Sequence, residues 1–383
     1  MSGSHTNEKL SSVQFCIATF NLLCPYWNWK SDEISSKEKW LGRQEKILEM
    51  LQQLVDDEKS ATQSNVSKTE DKSKEVATEE MKQQKGQGQN PEAKKKLCDV
   101  ICLQEFWCEN EEFVELYKQT LGPLGYELHY MKRTETSKPD GLATFVNTND
   151  WKVISVHEVT FKGSNRVALI HIIQHKQSEV NVLICNNHWN CGIYQSDEMK
   201  RRDLLVSLLE VLEEDASVHD KANGNNNGND KSKANGSKQS TLLLSAYDID
   251  IKIVCGDFNC EFYDYCPQQL VQRGYLSALH EGNNFKLDCA QSDQSHNPNS
   301  NKHDKFFVSH LNHHKIATGC DLLLFKHAKQ SPSLHFNPIA SYLYPRQLDW
   351  KEWPKKEMFG VSDHRPVVAV FEITTAKKKK QTD

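Results

Sequence analysis

The chain has 383 residues, of which 37% are hydrophobic and 26% are charged, and its formal net charge at pH 7 is -5. This negative net charge argues against a protein that binds duplex nucleic acid through an extended basic surface, because neutralising phosphates requires clustered Lys and Arg. The chain contains no run of eighteen apolar residues, which a membrane-spanning helix would need. Its N-terminal residues also lack the basic stretch followed by an apolar stretch that is typical of a secretory leader. We therefore expect an intracellular protein, cytoplasmic, nuclear or both, without stable membrane association.

Three polar segments interrupt the chain at residues 56–96, 215–240 and 291–305. They contain few apolar side chains, so they cannot bury enough surface to offset the entropy of ordering. We expect disordered insertions there, projecting from a single catalytic domain over residues 12–375. The lysine-rich tail at 376–383 is either a solvated end or a nuclear address.

Short apolar runs bounded by polar residues predict β-strands at 13–20, 97–103, 142–146, 166–174, 180–185, 250–255, 321–325 and 366–373. Apolar residues at helical spacing predict helices at 36–55, 111–121 and 197–212. Several of the scattered cysteines lie inside the strand runs, where a reduced thiol behaves as a small apolar side chain. Helices interleaved with many strands favour an α/β sandwich with the helices outside the sheets.

Two features exclude common nucleotide-binding folds. Three successive strands between residues 142 and 185 have no helix between them, which disfavours a doubly wound parallel sheet. Neither a G-x-G-x-x-G loop nor a Walker A loop is present, so a kinase, a phosphate-loop hydrolase or a Rossmann dehydrogenase has no support.

Polar side chains stand at the ends of the predicted strands. Because strand ends can converge on one rim of a sandwich, we expect these side chains to meet there. The set comprises Asn21, Glu105, His188, Asp257 and Asn259 after strands, Asp321 at the start of a strand, and Asp363 and His364 just before the last strand.

The residue types of this set suit metal-assisted phosphoester hydrolysis. Glu105 and Asp363 are hard oxygen donors suited to Mg²⁺ or Mn²⁺, and Asn21 is a neutral oxygen ligand or an orienting donor beside them. A divalent ion neutralises charge that develops on a phosphoryl oxygen. These three residues are the predicted metal ligands.

The other members of the set suit proton transfer and transition-state stabilisation. Asp257 can hold and polarise an attacking water, and Asn259 can orient that carboxylate or bind a phosphate oxygen. His188 and His364 can donate hydrogen bonds to the transition state. Asp321 is placed to orient His364, as a buried carboxylate does in other hydrolases.

The order of several short segments resembles the endonuclease/exonuclease/phosphatase superfamily, and within it the carbon-catabolite-repressor-type deadenylases with nocturnin and the angel proteins. The carrying segments are residues 19–23, 103–105, 138–145, 165–169, 186–188, 256–259 and 362–364. The resemblance implies a DNase I-like, four-layer α/β sandwich of two mixed β-sheets with helices outside, and Mg²⁺-dependent phosphodiesterase or phosphatase activity. It also implies that Asn165 and Arg166 contact substrate, with Arg166 on a phosphate.

Three positions depart from the deadenylase pattern. Cys260 to Phe262 stand where those enzymes have a proline, Ile316 stands in place of an aromatic residue, and Leu322 stands in place of a tyrosine. Base stacking on an aromatic face contributes roughly 1–3 kcal/mol, so its loss weakens an adenine-specific interpretation. Poly(A) specificity is therefore not predicted.

Each candidate has a simpler interpretation. Asp257 and Asn259 together are what an Asx turn requires, and Glu105 suits the first turn of a helix. Asn21 can cap its own strand, His188 can be a satisfied structural histidine, and Arg166 a solvated charge. The histidines at 310, 313 and 314 lack an acidic or cysteine partner at suitable spacing, which favours a polar loop over a metal site.

Three functions remain open from the sequence. The first is a Mg²⁺-dependent phosphoesterase, a 3′-exoribonuclease or a nucleotide phosphatase, acting on single-stranded RNA or on a nucleotide. The second is a phospholipid or inositol-phosphate hydrolase of sphingomyelinase type on the same scaffold, since the fold alone does not determine the substrate. The third is a non-catalytic binding module, which the presence of all four acids disfavours. No protein partner is predicted.

Overall fold

The computed structural model describes ten stretches of the chain: residues 10–28, 31–54, 97–192, 194–213, 244–279, 307–312, 314–329, 333–346, 348 and 360–376. The predicted insertions lie outside these residues, as does the predicted tail except for residue 376. The single catalytic domain over 12–375 and the disorder of the insertions therefore stay predictions.

The strands of the described chain are numbered in order. They are β1 Leu10–Asn21, β2 Val100–Phe106, β3 Tyr126–Lys132, β4 Gly141–Asn147, β5 Trp151–Thr160, β6 Val167–His175, β7 Asn181–His188, β8 Ile251–Asp257, β9 Leu276–Ser277, β10 His310–Leu311, β11 Ala317–Thr318, β12 Asp321–His327, β13 Leu334–Leu343 and β14 Val367–Ala376.

The helices of the same residues are α1 Lys37–Leu51, α2 Glu111–Leu121, α3 Gln195–Glu213 and α4 Tyr265–Val271, with single 3₁₀ turns at Glu33–Ser35 and Gly122–Leu124. Helix α2 begins at the predicted residue 111, and the Asn110 side chain caps it by accepting a hydrogen bond from the Phe113 backbone N–H at 3.0 Å. No helix of the described chain combines the length and the apolar composition needed to cross a bilayer.

Two six-stranded mixed sheets form the centre of the molecule. The first has the order β13-β14-β1-β2-β4-β3 and the second the order β5-β6-β7-β8-β12-β9, while β10 and β11 form a separate ribbon. Each large sheet has one parallel pair near its middle, β1 with β2 and β7 with β8, among antiparallel neighbours. The predicted sandwich of two mixed sheets is confirmed, and the doubly wound alternative is excluded.

The core has one layer between the sheets and one on each outer side. Between the sheets, Ile17 and Cys102 from the first sheet pack with Cys185 and Cys255 from the second. Helices α1 and α2 cover the outer face of the first sheet, while α3 and α4 contribute to the apolar cluster of the second sheet. The cysteines predicted to lie in strands are buried free thiols.

The eight predicted strands and three predicted helices are all present, with ends shifted by a few residues. The strands and the helix that were not predicted are β3, β5, β9, β10, β11, β13 and α4. Strands β9, β10 and β11 have only two residues each, too few to show a period. Strands β3, β5 and β13 lie at sheet edges, where polar residues interrupt the apolar runs that mark a buried strand. Helix α4 spans only seven residues, too few for a clear helical period.

Candidate active site

The candidate site lies at one rim of the sandwich, where strand register brings its members together. Asn21 ends β1 opposite Gln104 of β2. His188 ends β7 opposite Asp257, the last residue of β8, and Asp257 in turn pairs with Asp321, the first residue of β12. Because these strand ends are adjacent, residues that lie far apart in sequence meet at one rim of the sandwich.

A glycine allows the β7–β8 pair to approach closely just before Asp257. Gly256 has a φ of +138°, and a Cβ at this position would lie 1.9 Å from the Asn187 carbonyl oxygen. Only glycine tolerates both the backbone conformation and the contact. Gly256 therefore helps to place the Asp257 carboxylate at the rim.

A β-bulge aims Glu105 into the site. The pairing of β2 with β4 shifts register between Gln104 and Phe106, and Glu105 has a φ of +54°, a left-handed conformation that is uncommon outside glycine. The Glu105 Oε2 atom accepts a hydrogen bond from the Cys24 backbone N–H at 3.1 Å. The helix-start interpretation of Glu105 is thus wrong, since this residue lies within β2.

Asp257 is the centre of the polar cluster and is 1% exposed. Its Oδ2 atom accepts a hydrogen bond from Asn21 Nδ2 at 3.0 Å and lies 3.5 Å from His188 Nε2 and 3.7 Å from His364 Nε2. Its Oδ1 atom accepts a hydrogen bond from the Asn259 backbone N–H at 2.9 Å. That last contact is the predicted Asx turn, and it coexists with the cluster instead of replacing it.

A buried carboxylate orients His364, as the sequence predicts. Asp321 Oδ2 lies 2.9 Å from His364 Nδ1 and forms a hydrogen bond with it. The Ser362 hydroxyl connects the loop before β14, which carries His364, to β1. It donates a hydrogen bond to the Asn21 carbonyl and accepts one from the His364 backbone N–H. Burial alone would lower the pKa of His364, but the negative charges of Asp321 and Asp257 outweigh burial and raise the pKa to about 10.

His188 has the opposite electrostatic environment. Burial, followed by the positive charge of Arg166, holds the pKa of His188 well below its ordinary value. The site therefore contains one cationic imidazole at His364 and one neutral imidazole at His188, on two sides of the same carboxylate. The Asn259 side chain does not contact Asp257 in the structure; its Nδ2 atom donates to the Trp189 carbonyl at 3.0 Å.

The donor set around Glu105 fits a hard divalent cation. Burial, and then the negative charges of Asp140 and Asp363, raise the pKa of Glu105 to about 7, so Asp363 lies near enough to repel it. Asp363 Oδ1 is buried without a hydrogen-bond partner, and Asn21 Nδ2 lies 3.3 Å from Glu105 Oε1. Two repelling carboxylates with an unused oxygen are what a Mg²⁺ or Mn²⁺ ion would neutralise.

Of the two predicted substrate contacts, Arg166 faces the site and Asn165 does not. Arg166 is 5% exposed, and its Nε and one terminal nitrogen are buried without a partner. Burial, and then the positive charge of Arg133, lower the pKa of Arg166 to about 10. The Asn165 side chain instead donates to Glu135 on the surface. The interpretation of Arg166 as a solvated charge is wrong.

The contacts of His310 were not predicted from the sequence. The sequence predicts a polar loop there, whereas His310 lies in β10 and its ring stacks on the His364 ring with centroids 4.0 Å apart and an 11° angle between the planes. Its Nε2 atom lies 3.6 Å from Asp363 Oδ2. No periodic pattern marks so short a strand, so its sequence carries little signal. His314 is exposed, and residue 313 lies outside the described chain.

Arg133 and Asp140 form a second feature that the sequence did not indicate. Arg133 donates to Asp140 through two of its nitrogens, and Asp140 also accepts a hydrogen bond from Trp27 Nε1 at 3.0 Å. The Lys138 ammonium lies 4.6 Å from the centre of the Trp27 ring. Asp140 belongs to the segment 138–145 that carries the family resemblance, whereas its partner Arg133 lies outside that segment.

Solved structures with the same arrangement of sheets identify the fold. The two-sheet sandwich is the fold of the endonuclease/exonuclease/phosphatase superfamily, so the resemblance seen in the sequence is confirmed for the fold. A family member from Bacteroides thetaiotaomicron superposes with a TM-score of 0.51 at 13% identity, covering 96% of this chain and 100% of that one. ANGEL2, a 2′,3′-cyclic phosphatase, superposes with a TM-score of 0.50 at 16% identity, covering 97% and 99%.

Similarity to curated proteins is partial. The chain is 27% identical over 234 residues to an uncharacterized calcium-binding protein of Arabidopsis thaliana, covering 58% of this chain and 40% of that protein. It is 25% identical over 230 residues to the CCR4-Not complex 3′-5′-exoribonuclease subunit Ccr4 of Candida albicans, covering 52% and 26%. The matches thus span less than half of either relative. No family model matches the chain.

Proposed function

We propose that the chain is a Mg²⁺- or Mn²⁺-dependent phosphoesterase, acting as a 3′-exoribonuclease of the deadenylase-like type or as a nucleotide phosphatase. The observation that carries this proposal is the position of Asp257 Oδ2, which lies 3.5 Å from the His188 ring and 3.7 Å from the His364 ring. A buried carboxylate between two imidazoles, beside a set of oxygen ligands, suits hydrolysis of a phosphoester.

The metal would be held by Glu105 and Asp363, with Asn21 beside them. When bound, it would neutralise charge on the phosphoryl group. Asn21 connects the proposed metal ligands to the proposed base, because its Nδ2 atom lies 3.3 Å from Glu105 Oε1 and 3.0 Å from Asp257 Oδ2. This arrangement supports a role for Asn21 in aligning both carboxylates.

The protein's own groups divide the proton transfers between them. Asp257 accepts a proton from the attacking water, because it is a carboxylate held by Asn21 and Asn259 in one orientation. His364, kept cationic by Asp321, donates to a phosphoryl oxygen that gains negative charge. Neutral His188 offers a second donor to the same group. Asn259 limits the rotation of the Asp257 carboxylate through its backbone N–H.

The substrate class rests on Arg166 and on the relatives. The unpaired guanidinium nitrogens of Arg166 are suited to a phosphate, since an arginine offers several donors in a planar fork. Ccr4 is named an exoribonuclease and ANGEL2 a 2′,3′-cyclic phosphatase, which supports RNA or a nucleotide as substrate. Ile316, in place of an aromatic residue, is 54% exposed and offers no ring for stacking a base. We therefore propose single-stranded RNA ends without strict preference for adenine.

A substrate panel tests the proposal. Poly(A), mixed-sequence RNA, NADP, abasic DNA and sphingomyelin are incubated with the protein and Mg²⁺ or Mn²⁺, with Asp257→Asn as the negative control. We expect release of nucleoside monophosphate from RNA, or of phosphate from a nucleotide, which the control lacks. Choline-phosphate release from sphingomyelin alone would favour the lipid hydrolase instead. Turnover of no substrate would favour a binding module.

A further inference from the structure

We propose a second metal site at the same rim of the sandwich, with the chemistry of Zn²⁺, formed by His310, Cys320 and His364. One ligand atom from each of these residues lies within 4.8 Å of the others. Two imidazoles and a thiolate are soft or borderline ligands, which favour Zn²⁺ over Mg²⁺. This set shares no residue with the oxygen ligands Asn21, Glu105 and Asp363.

The local structure supports the ligand role of each residue. Cys320 is 3% exposed and precedes Asp321, with its Sγ atom 3.8 Å from Asp321 Oδ2. The His310 side chain is 18% exposed, which gives an ion a route from solvent. Both imidazoles have an oxygen partner, since Thr318 Oγ1 lies 3.2 Å from His310 Nδ1 and Asp321 Oδ2 lies 2.9 Å from His364 Nδ1. Such partners orient histidines in metal sites.

A fourth ligand is available in the same place. Asp257, Cys320, Asp321 and His364 also form a group whose ligand atoms lie within 4.8 Å of one another. A carboxylate from Asp257 or Asp321 would therefore complete a tetrahedral set of two nitrogens, one sulfur and one oxygen. Zinc ligands lie about 2.0–2.3 Å from the ion, so the ligand atoms must move closer. When Zn²⁺ binds, the Cys320 thiol and the cationic His364 ring each release one proton to solvent.

The consequence for activity rests on the proposed function. Zn²⁺ at this site would take the His364 ring and its carboxylate partners away from the phosphoryl group while the Glu105 and Asp363 oxygens stay available to Mg²⁺. Inhibition by Zn²⁺ should therefore persist when the Mg²⁺ concentration is raised. A Zn²⁺ ion that merely displaced Mg²⁺ from the oxygen ligands would be competed away.

Direct binding tests the site without reference to activity. The full chain is titrated with Zn²⁺ against a chromophoric chelator, and with Co²⁺ while the thiolate-to-cobalt absorption is recorded. We expect about one equivalent bound, and at least roughly tenfold weaker binding with loss of the absorption band in Cys320→Ser and Cys320→Ala. His310→Asn should also weaken binding. Cys191→Ser, which removes an exposed thiol, is the matched control and should bind as the parent does.

Activity measurements separate this site from the proposed function. Cys320→Ser should keep Mg²⁺-dependent turnover and need at least tenfold more Zn²⁺ for half inhibition. Equal Zn²⁺ binding by Cys320→Ser, Cys320→Ala and the parent, or no binding by a folded parent, overturns the site whatever the activity. Zn²⁺ binding that requires Cys320 in a protein without phosphoesterase activity leaves the site standing and refutes the proposed function.

Discussion

At the scale of single residues, the contacts of Asp257 explain why one carboxylate can serve as a base. Its Oδ1 atom is held by the Asn259 backbone and its Oδ2 atom by Asn21, so its orientation is determined before substrate arrives. Preorganised groups of this kind cost little reorganisation at the moment of reaction. Under the proposed function, the two neighbouring imidazoles, one cationic and one neutral, would both donate to the phosphoryl group of the substrate.

We expect Asp257→Asn to lower kcat by about 10²–10⁴-fold, the usual contribution of a general base. The amide has nearly the same volume, and its oxygen can still accept from the Asn259 backbone, so the fold should persist. Steady-state kinetics with Mg²⁺, combined with a thermal melt, measure both effects. Asp203→Asn, on the exposed face of α3, is the control and should retain full activity. A turnover within threefold of the parent would remove Asp257 from the base role.

Individual site residues were predictable from the sequence where they end a strand. Asn21, His188 and Asp257 each follow an apolar run, and register then brings them to one rim. His310 was not predictable, because its contact with His364 depends on a two-residue ribbon that leaves no pattern. Asn165 belongs to a segment that resembles the family, but its side chain donates a hydrogen bond to the surface residue Glu135, so the motif did not predict its contact.

At the scale of elements, helix α1 ties the two loops of the site together through Arg43. The Arg43 guanidinium donates to the Leu22 carbonyl at 2.7 Å, the Leu23 carbonyl at 2.7 Å and the Val361 carbonyl at 2.8 Å. It also pairs with the buried Glu33 carboxylate at 2.6 Å. One helix thus sets the spacing between the loop after Asn21 and the loop that carries Asp363.

We expect Arg43→Lys to raise the Mg²⁺ concentration needed for half-maximal activity by roughly tenfold, the lower end of the effect of removing a residue that supports metal ligands. Lysine keeps the charge beside Glu33 but cannot reach three carbonyls at once. Activity is measured across a Mg²⁺ titration. Arg202→Lys, on the exposed face of α3, is the control. An unchanged Mg²⁺ dependence together with a lower melting temperature would restrict Arg43 to a structural role.

Two glycines in different elements should respond in opposite ways to alanine. Gly256→Ala should lower the free energy of unfolding by about 2–3 kcal/mol, because its Cβ meets the Asn187 carbonyl and its φ is positive. Gly42→Ala, in α1 with nothing within 4 Å, should raise that free energy by about 0.5–1 kcal/mol. Urea unfolding measures both. Shifts of both variants in the same direction would contradict the close approach of β7 and β8 at Gly256.

Strands and helices were predictable where burial produces a regular pattern of apolar residues, and less predictable elsewhere. The run that forms β8 is apolar because both of its faces are covered, and its strand was found. Strand β5 alternates buried and exposed residues at an edge, so its sequence lacks a continuous apolar run. The bulge at Glu105 depends on pairing with β4, which no local pattern encodes.

At the scale of the whole molecule, a buried histidine lies between the two sheets away from the candidate site. The His171 ring, on β6, lies 5.1 Å from the His129 ring on β3, and neither of its nitrogens has a partner. Burial, and then the nearby His129, lower the pKa of His171 to about 3. Protonation of His171 therefore opposes the packing of one sheet on the other.

This histidine should make the protein less stable in acid. Between pH 6.5 and about 3 the unfolded chain binds a proton at His171 that the folded chain does not. The free energy of unfolding should then fall as the pH falls through this window, by up to about 1.4 kcal/mol per pH unit from this group. Urea unfolding from pH 7 to pH 4 should show a shallower slope for His171→Leu. His335→Leu, at an exposed position, should keep the parent slope; equal slopes in all three proteins would contradict this account.

The pairing of β1 with β14 has a consequence for how the protein is made. Ser11 and Thr375 contact each other at a sequence separation of 364 residues, and β14 lies between β1 and β13 in the first sheet. A contact of such high sequence separation forms late, after the local elements. During translation, β1 cannot complete its pairing with β14 until residue 376 has left the ribosome. The loop that carries Asp363 and His364 emerges just before it, so a nascent polypeptide that ends before residue 376 should lack the proposed activity.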